Sequence, residues 1–535
     1  MRYNKTLGLA LAGTLVLGGA GCSVDNFLDV NNSPNVTQVA PPSVVLTSTI
    51  IETAFSNGNE INRISSLLTQ HVAGVANQAP GQDVYNIRGG LDNQWQFELY
   101  AGALENAQTL IGLAAQSNSP AYSGIAKLLK AYNFAMTTDL WGDVPYSQAL
   151  QGLSNLKPRF DRQEDIYKGA TGVQSLDALI KEGLAELDQP SVLLPSISDD
   201  PVYRGNLAKW KRMGNTLRLK LANTMSRREP ALATTIINEV IAANNFINTN
   251  ADDFQVPFGG TVGNRNPIFD FNGLNVYNPT TRTVTASTLG QRFTDIMLSQ
   301  RLLDSMRVKN DPRLPILFNP TAPLGVFTLP VPNNTTGTLT TIPDATAGTF
   351  LTFTGYQNGN NVAAPNQVNR SKYNVYLTGN AGEAPIRLLT NFQRLFIMAE
   401  SALVLNTSAA GGTAQSLYQD AIRASMTKLG ISDAAVTTYL NANPSVAILS
   451  GTPQRMLNQI MTQKWIAWVG NGYEAYNDYR RTGYPRLALA LNAQGDDPNI
   501  IPKRFVYPAS ETSGNAENAP NPVPGTVVPV WWDID

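Results

Sequence analysis

Apolar positions recur at steps of three and four along much of the chain. Between Leu207 and Leu221 one stripe runs Leu207, Trp210, Gly214, Leu217 and Leu221, with Lys209, Arg212, Arg218 and Lys220 largely off it. Residues at this spacing share a helix face, so the stretch predicts an amphipathic helix. Similar patterning covers Pro41 to about Asn245 and returns at Leu388–Leu405 and Ser416–Leu429. Asp161-Arg162-Gln163-Glu164 predicts a capping box: Asp161 accepts from the third amide, Glu164 reaches back, and the helix runs toward Leu187. Thr452 before Pro453 predicts another helix start with proline in its first turn. Leu457, Ile460, Met461, Trp465 and Trp468 mark one face of that helix, and Gly470 and Gly472 end it. Helices of about 15–20 residues joined by short polar loops suggest stacked antiparallel pairs, as in helical-repeat proteins, although no strict repeat is visible.

The middle of the chain breaks the pattern. From Leu314 to Asn369 the one charged residue is Asp344, among many Thr, Asn, Gly and Pro. Thr338–Ile342 and Thr349–Thr354 predict short strands. Long irregular excursions are uncommon unless they bind something, and the alternative is that they cover the core. The expected organisation is a single domain over 41–535. It is helical at 41–245, irregular at 246–387 and helical at 388–490, with a tail at 491–535 that wraps the body.

Residues 1–40 stand apart. A short positive start (Arg2, Lys5) precedes the apolar run Leu7–Leu17 and the small residues Gly18–Gly21, which end at Cys22, the sole cysteine. This is the layout of a secretory signal over 1–21, and a thiol at the cut can take a diacylglycerol group. Lipid chains anchor a protein stably because each buried methylene contributes ~0.8 kcal/mol. The expectation is a lipoprotein lipidated at Cys22, with 22–40 as a polar tether. An ordinary signal peptide and an uncleaved anchor are the alternatives. Thr6–Val24 is charge-free and near the roughly 20 residues of a membrane span, but five glycines weaken it as a helix.

Charge and composition narrow the chemistry. The chain has 39 basic and 40 acidic residues, and loss of Arg2 and Lys5 with the signal leaves a net of −3. Nucleic-acid binders concentrate Lys and Arg, which this balance does not suggest. His71 is the only histidine, which removes histidine-rich metal clusters and any catalytic arrangement needing a second imidazole. No loop is spaced as D-x-D-x-D-G, so no metal and no cofactor are expected. A surface glycoside hydrolase would need a pair of carboxylates across a sugar bond, for which Asp252, Asp253, Asp304 and Asp311 are available.

Several segments, in order, resemble one family. Cys22-Ser-Val-Asp-Asn-Phe-Leu-Asp29 leads to Pro34, and Asp139-Leu-Trp-Gly-Asp-Val-Pro-Tyr146 follows. Next come Tyr203-Arg-Gly-Asn-Leu-Ala-Lys-Trp210 with Asn215-Thr-Leu-Arg218, then Asn310-Asp-Pro-Arg313. Gln463-Lys-Trp-Ile-Ala-Trp468, Asn471-Gly-Tyr-Glu474 and Arg480-Arg-Thr-Gly-Tyr-Pro485 precede a closing Arg504-Phe-Val-Tyr-Pro508, Glu511 and Asn515. Together these resemble the SusD/RagB lipoproteins, in the SusD-like branch, over the mature chain. The departures are Gly19, where lipoprotein signals usually carry leucine, and the low-complexity middle.

The resemblance implies a mostly α-helical SusD-like fold, with tetratricopeptide-like helix pairs as scaffold and an irregular half bearing the ligand site. It implies a nutrient-binding protein on the outer face of an outer membrane, performing no chemistry. Its partner would be a SusC-like TonB-dependent transporter, and its cargo an oligosaccharide or a peptide. Sugar capture uses aromatic faces beside amide and hydroxyl groups. Candidate contacts are Tyr85, Asn86 and Arg88 in the Gln78–Gln94 loop, Trp95 after it, Phe269, Phe271 and Tyr277 in Asn264–Tyr277, and Tyr356 in the polar middle. Aromatics more often pack in cores, and the spacing of Trp95 to Tyr100 itself suggests packing. A structural surface protein without a small ligand would lack a concave aromatic-lined site.

Overall fold

Most of the chain coils into helices that pack in antiparallel pairs. The computed structural model describes residues 40–89, 91–272, 275–278, 283–286, 294–321, 339–343, 350–407 and 412–534, with backbone alone for those from 271 to 286, for 339–343 and for 350–351. Cys22 lies outside the described residues, as do the signal and tether. The helices that build the scaffold are α1 (Pro42–Ser56), α2 (Asn62–Leu68), α3 (Glu105–Gln116), α4 (Pro120–Trp141), α5 (Leu176–Glu186), α6 (Leu207–Met225) and α7 (Pro230–Ala243). They continue as α8 (Asn391–Val404), α9 (Ala414–Lys428), α10 (Pro453–Ala467) and α11 (Gly472–Thr482). Neighbours in sequence pair with each other: α3 with α4, α6 with α7, α8 with α9.

Helix α4 is the axis of the first half. Its 22 residues touch α1, α3, α5 and α6, so it is buried on nearly every face. A helix covered on every side belongs to an interior, and the polar residues buried on it, Lys127, Asn133 and Asp139 among them, are hydrogen-bonded. It stops at Gly142, whose φ of 83° a side chain would disfavour. Its last turn carries Asp139, completely buried. Asp139 Oδ1 accepts from the Tyr167 hydroxyl (2.6 Å) and Trp532 Nε1 (2.9 Å), and Oδ2 from the Tyr473 hydroxyl (2.8 Å) and Asn477 Nδ2 (2.9 Å). Four donors on one carboxylate offset its desolvation. They also fasten the C-terminal segment, where Phe505 N donates to Leu140 O (2.8 Å) and Trp141 Nε1 to Val506 O (3.0 Å).

The stripe on α6 forms as expected, and Asn206 caps its start by accepting from Lys209 N. Arg218 and Lys220 are buried as well, because α6 is flanked by α4, α5, α7, α8 and α11 and has no broad solvent face. They are tolerated because they are paired: Arg218 with Asp177 (2.6 Å) and Glu239 (2.7 Å), Lys220 with the Tyr473 hydroxyl (3.0 Å) and Glu474 (3.5 Å).

The Asp161 capping box does not form. Asp161 sits in a short strand, where its carboxylate accepts from Ser147 N (2.6 Å), Ser147 Oγ (3.0 Å) and Arg159 Nε (2.9 Å). Asp143 instead accepts from Gln163 N (2.8 Å). The helix there spans Gln163–Lys168 and ends at Gly169 (φ 86°), and a second helix, α5, starts from a Ser175 cap. At Thr452 the expected cap is present, accepting from Arg455 N with Pro453 in the first turn. Gly470 (φ 98°) follows α10, whereas Gly472 opens α11 rather than closing α10.

The described strands pair in twos. Val72–Gly74 (β1) runs antiparallel to Ile296–Leu298 (β3), and Phe254–Val256 (β2) to Ile386–Leu389 (β6). Leu339–Pro343 (β4) and Phe350–Thr354 (β5), both expected as strands, pair with each other in the register Leu339↔Thr354.

Candidate ligand-binding cleft

Two π-helical segments distort the scaffold at one place. Asn57–Ile61 joins α1 to α2, with Asn59 off helical geometry at φ −86°, ψ −129°, and the 11 residues Gln94–Leu104 lead into α3. π-Segments are rare and concentrate at functional sites, because an extra residue per turn re-aims side chains. The two are laced together: Ser56 Oγ donates to Glu98 O (3.0 Å), Gln94 Nε2 to Ser56 O (3.3 Å), and Asn59 Nδ2 to Glu98 Oε1 (2.6 Å). Trp95 and Leu99 are thereby turned into the core, while Phe97 stands 60% exposed.

Phe97 forms one wall of an open cleft of about 600 Å³. Ile51, Glu52 and Phe55 of α1 make a second wall, and the loop Pro257–Arg265, with Phe258, a third. The loop is braced by Gly259 N donating to Asn264 O (2.8 Å) and Arg265 Nε to Gly260 O (3.3 Å). Asn266 pins its far end, donating to Leu377 O (3.0 Å) and Ala384 O (2.9 Å). Three phenylalanine rings thus meet carboxyl, amide and guanidinium groups in one concavity, the composition of a small-molecule site. Smaller clefts lie beside Gln70, Gln300 and Asn358 (about 220 Å³) and beside Asp92 and Tyr507 (about 230 Å³).

Burial pushes the Glu98 carboxyl up to about 7, the amides of Asn59 and Gln94 pull it down, and the charges of Glu60 and Glu52 add to the rise. Among the described residues Glu98 Oε2 has no hydrogen-bond partner. Glu52 is raised by burial too.

The rings expected from sequence are elsewhere. Tyr85, Trp95, Phe269 and Tyr356 are all core residues, each at most 3% exposed. The Tyr85 hydroxyl accepts from Ala490 N (2.7 Å), and Trp95 packs on Trp141 at 5.1 Å and donates to Glu511 (3.2 Å). Phe269 lies under Arg265 at 5.4 Å, and the Tyr356 hydroxyl donates to Asn360 O (3.1 Å). None of these four presents a ring face to solvent, because packing neighbours cover both sides. Asn86 and Arg88 are exposed, outside the cleft, and Arg88 Nε donates to Asp496 (2.7 Å). The side chains of Phe271 and Tyr277 lie outside the described residues. Phe55, Phe97, Phe258, Glu52 and Glu98 are not among the contacts expected from sequence. The usable signal was Phe97 itself, an aromatic between Gln96 and Glu98 and off the stripe of Trp95 and Leu99.

The carboxylates considered for hydrolysis are each engaged by a cation. Asp252 meets Arg212 (2.7 Å), Asp253 meets Lys428 (2.5 Å), Asp304 meets Arg307 (2.9 Å) and Asp311 meets Arg313 (2.5 Å). His71 is buried, donates from Nε2 to Trp465 O (2.9 Å) and is lowered by burial to about 3, so it stays neutral. Among the described residues no group of three or more His, Cys, Asp or Glu is placed to hold a metal ion, and no helix is long and apolar enough to cross a membrane.

The family model described as "Starch-binding associating with outer membrane" (SusD-like_2) matches residues 34–508. The chain belongs to the SusD-like family. Solved SusD-like structures superpose over almost its whole length. A chitin-binding protein aligns at TM-score 0.71 and 24% identity, covering 92% of this chain and 100% of its own. A SusD homologue from Bacteroides uniformis aligns at 0.71 and 22%, covering 93% and 100%. A chitin-binding SusD homologue from Flavobacterium johnsoniae aligns at 0.66 and 23%, covering 92% and 98%. No curated protein matches the sequence. At these identities the likeness carries the SusD-like fold.

Proposed function

We propose that this SusD-like protein captures an oligosaccharide at the cell surface and passes it to a partner SusC-like TonB-dependent transporter, without transforming it. Lipid on Cys22 would hold it to the outer membrane. The observation that carries the reading is the open cleft in which Phe55, Phe97 and Phe258 converge beside Glu52, Glu98, Asn264 and Arg265. C–H-rich sugar faces pack on aromatic rings, while carboxyl and amide groups take the hydroxyls. The description of the family as starch-binding and outer-membrane-associated, and the chitin-binding relatives, support a glycan over a peptide.

Phe97 supplies the test. A phenylalanine presents roughly 200 Å², and with 60% exposed about 120 Å² is available to a ligand. Covering half of that contributes about 1.5 kcal/mol. Calorimetric titration of a glycan panel is expected to find an oligosaccharide whose binding Phe97→Ala weakens about 10-fold, with the melting temperature little changed. Unaltered binding by Phe97→Ala would place the site elsewhere. Failure of every glycan, with peptides binding, would replace the ligand class.

A further inference from the structure

Two carboxyls and one guanidinium line the cleft, and one of the carboxyls has no partner among the described residues. Glu52 lines it, and among the described residues no hydrogen bond or ion pair of the protein engages the Glu52 carboxyl. Glu98 stands on the facing π-helical segment with Oε1 on the Asn59 amide and Oε2 unpartnered among the described residues. The other charged groups near Glu98 are spoken for. Glu60, from the segment joining α1 and α2, pairs with Arg63 (2.6 Å), and Arg63 also pairs with Asp295 (3.0 Å). Arg265, the cation of the loop wall, donates to Gly260 O and lies over Phe269. Gln94 and Asn59 supply amides, not charge. Glu52, with Glu98 buried behind it, therefore stands in a cleft whose one lining cation, Arg265, forms no ion pair with either carboxyl among the described residues.

We infer that the cleft selects oligosaccharides bearing a free primary ammonium, such as glucosamine units, an inference that rests on the glycan reading above. The ring face of each sugar unit packs on Phe55, Phe97 and Phe258, and the ammonium meets Glu52 with Glu98 behind it. A lysine side chain would bring the same charge on a flexible stem that leaves much of the three-ring surface uncovered, which favours the amino sugar. Glu98, held up to about 7, carries a proton much of the time at neutral pH. An arriving cation favours its ionised form, so binding releases that proton to solvent.

The experiment is calorimetric titration of the detergent-solubilised full chain at pH 5.5, where the sugar amines are already protonated before binding, with glucosamine and N-acetylglucosamine hexasaccharides of the same linkage. Two buffers of different ionisation enthalpy report the protons exchanged. The charged oligomer is expected to bind about 10-fold more tightly, since charge-assisted contacts in a partly desolvated site are strong, and to release protons on binding. Glu52→Gln should abolish the preference without lowering the melting temperature, because it orphans no partner. Glu98→Gln should abolish the proton release. Equal affinity for the two oligomers, or a preference undiminished in Glu52→Gln, overturns the inference and leaves glycan capture standing. Binding of lysine peptides with no binding of either oligosaccharide overturns both.

Discussion

Helices α6, α8, α10 and α11 meet at one buried ion cluster, and breaking it should be among the most damaging single changes in the protein. Arg481 on α11 forms a two-pronged pair with Glu400 on α8, Nη2 to Oε2 at 2.9 Å, and its Nη2 also reaches Asp478 at 2.8 Å. Lys464 on α10 holds Asp478 at 2.9 Å, and Asn223 on α6 donates to Glu400 at 3.0 Å. Burial alone would raise the Asp478 carboxyl, and Lys464 and Arg481 overcome it, leaving it below the usual range. Arg481→Met leaves the Glu400 carboxylate, with a side chain only 2% exposed, on a single amide. Breaking a buried pair in this way costs about 3–5 kcal/mol, whereas replacing both partners with apolar groups of similar volume is often neutral. An unfolding entropy of ~2.1 cal/mol/K per residue over about 500 ordered residues amounts to ~1 kcal/mol/K, so the single variant should melt about 3–5 °C lower. Arg481→Met combined with Glu400→Leu should recover most of that loss in a double-mutant cycle. Differential scanning calorimetry reads all of these. A single variant within 1 °C of wild type, or a double variant no more stable than the single, would refute the view that the cluster is strongly coupled.

Further outcomes follow from burial and close approach. Asp83, Glu98 and Glu474 are each pushed by burial up to about 7, above ordinary carboxylate values of 3.8 and 4.5. A folded-state value above the unfolded one means stability is fullest below about 4.5 and is lost as pH rises through 7. Melting temperature should therefore fall between pH 5 and pH 8, and Glu98→Gln should flatten that slope by on the order of 3 kcal/mol across the window; a slope unchanged in Glu98→Gln would show that Glu98 titrates normally. A Cβ on Gly472 would sit 2.3 Å from Ser66 N and 2.4 Å from Ser66 Oγ, where α11 rests on α2. Gly472→Ala should therefore lose at least the ~1–3 kcal/mol typical of overpacking, and a melting curve like wild type's would mean that the two helices part readily.

The helices and their ends were readable in the sequence because their causes are local. The stripe on Leu207–Leu221 needs only the helical period, the Thr452 cap only its own side chain three residues ahead, and the β-rich composition of Thr349–Thr354 only its own pleat. Even so, a local signal fails where a distant partner competes for the same atom. Asp161 could have capped a helix, but Ser147 and Arg159 hold its carboxylate across a two-stranded turn. The cleft was least legible, since an aromatic residue carries no mark saying whether its faces will be covered. Trp95 and Phe97 are two residues apart, so any helical winding sets them on opposite faces, and only the packing of this segment against Ser56 and Asn59 decides which of the two is covered. The sequence by itself determined the helical scaffold, its principal caps and its family. Tertiary structure alone decided which rings stay exposed and brought Phe55, Phe97 and Phe258 from three separate segments to one cleft, because burial depends on what packs against a residue and not on the residue itself.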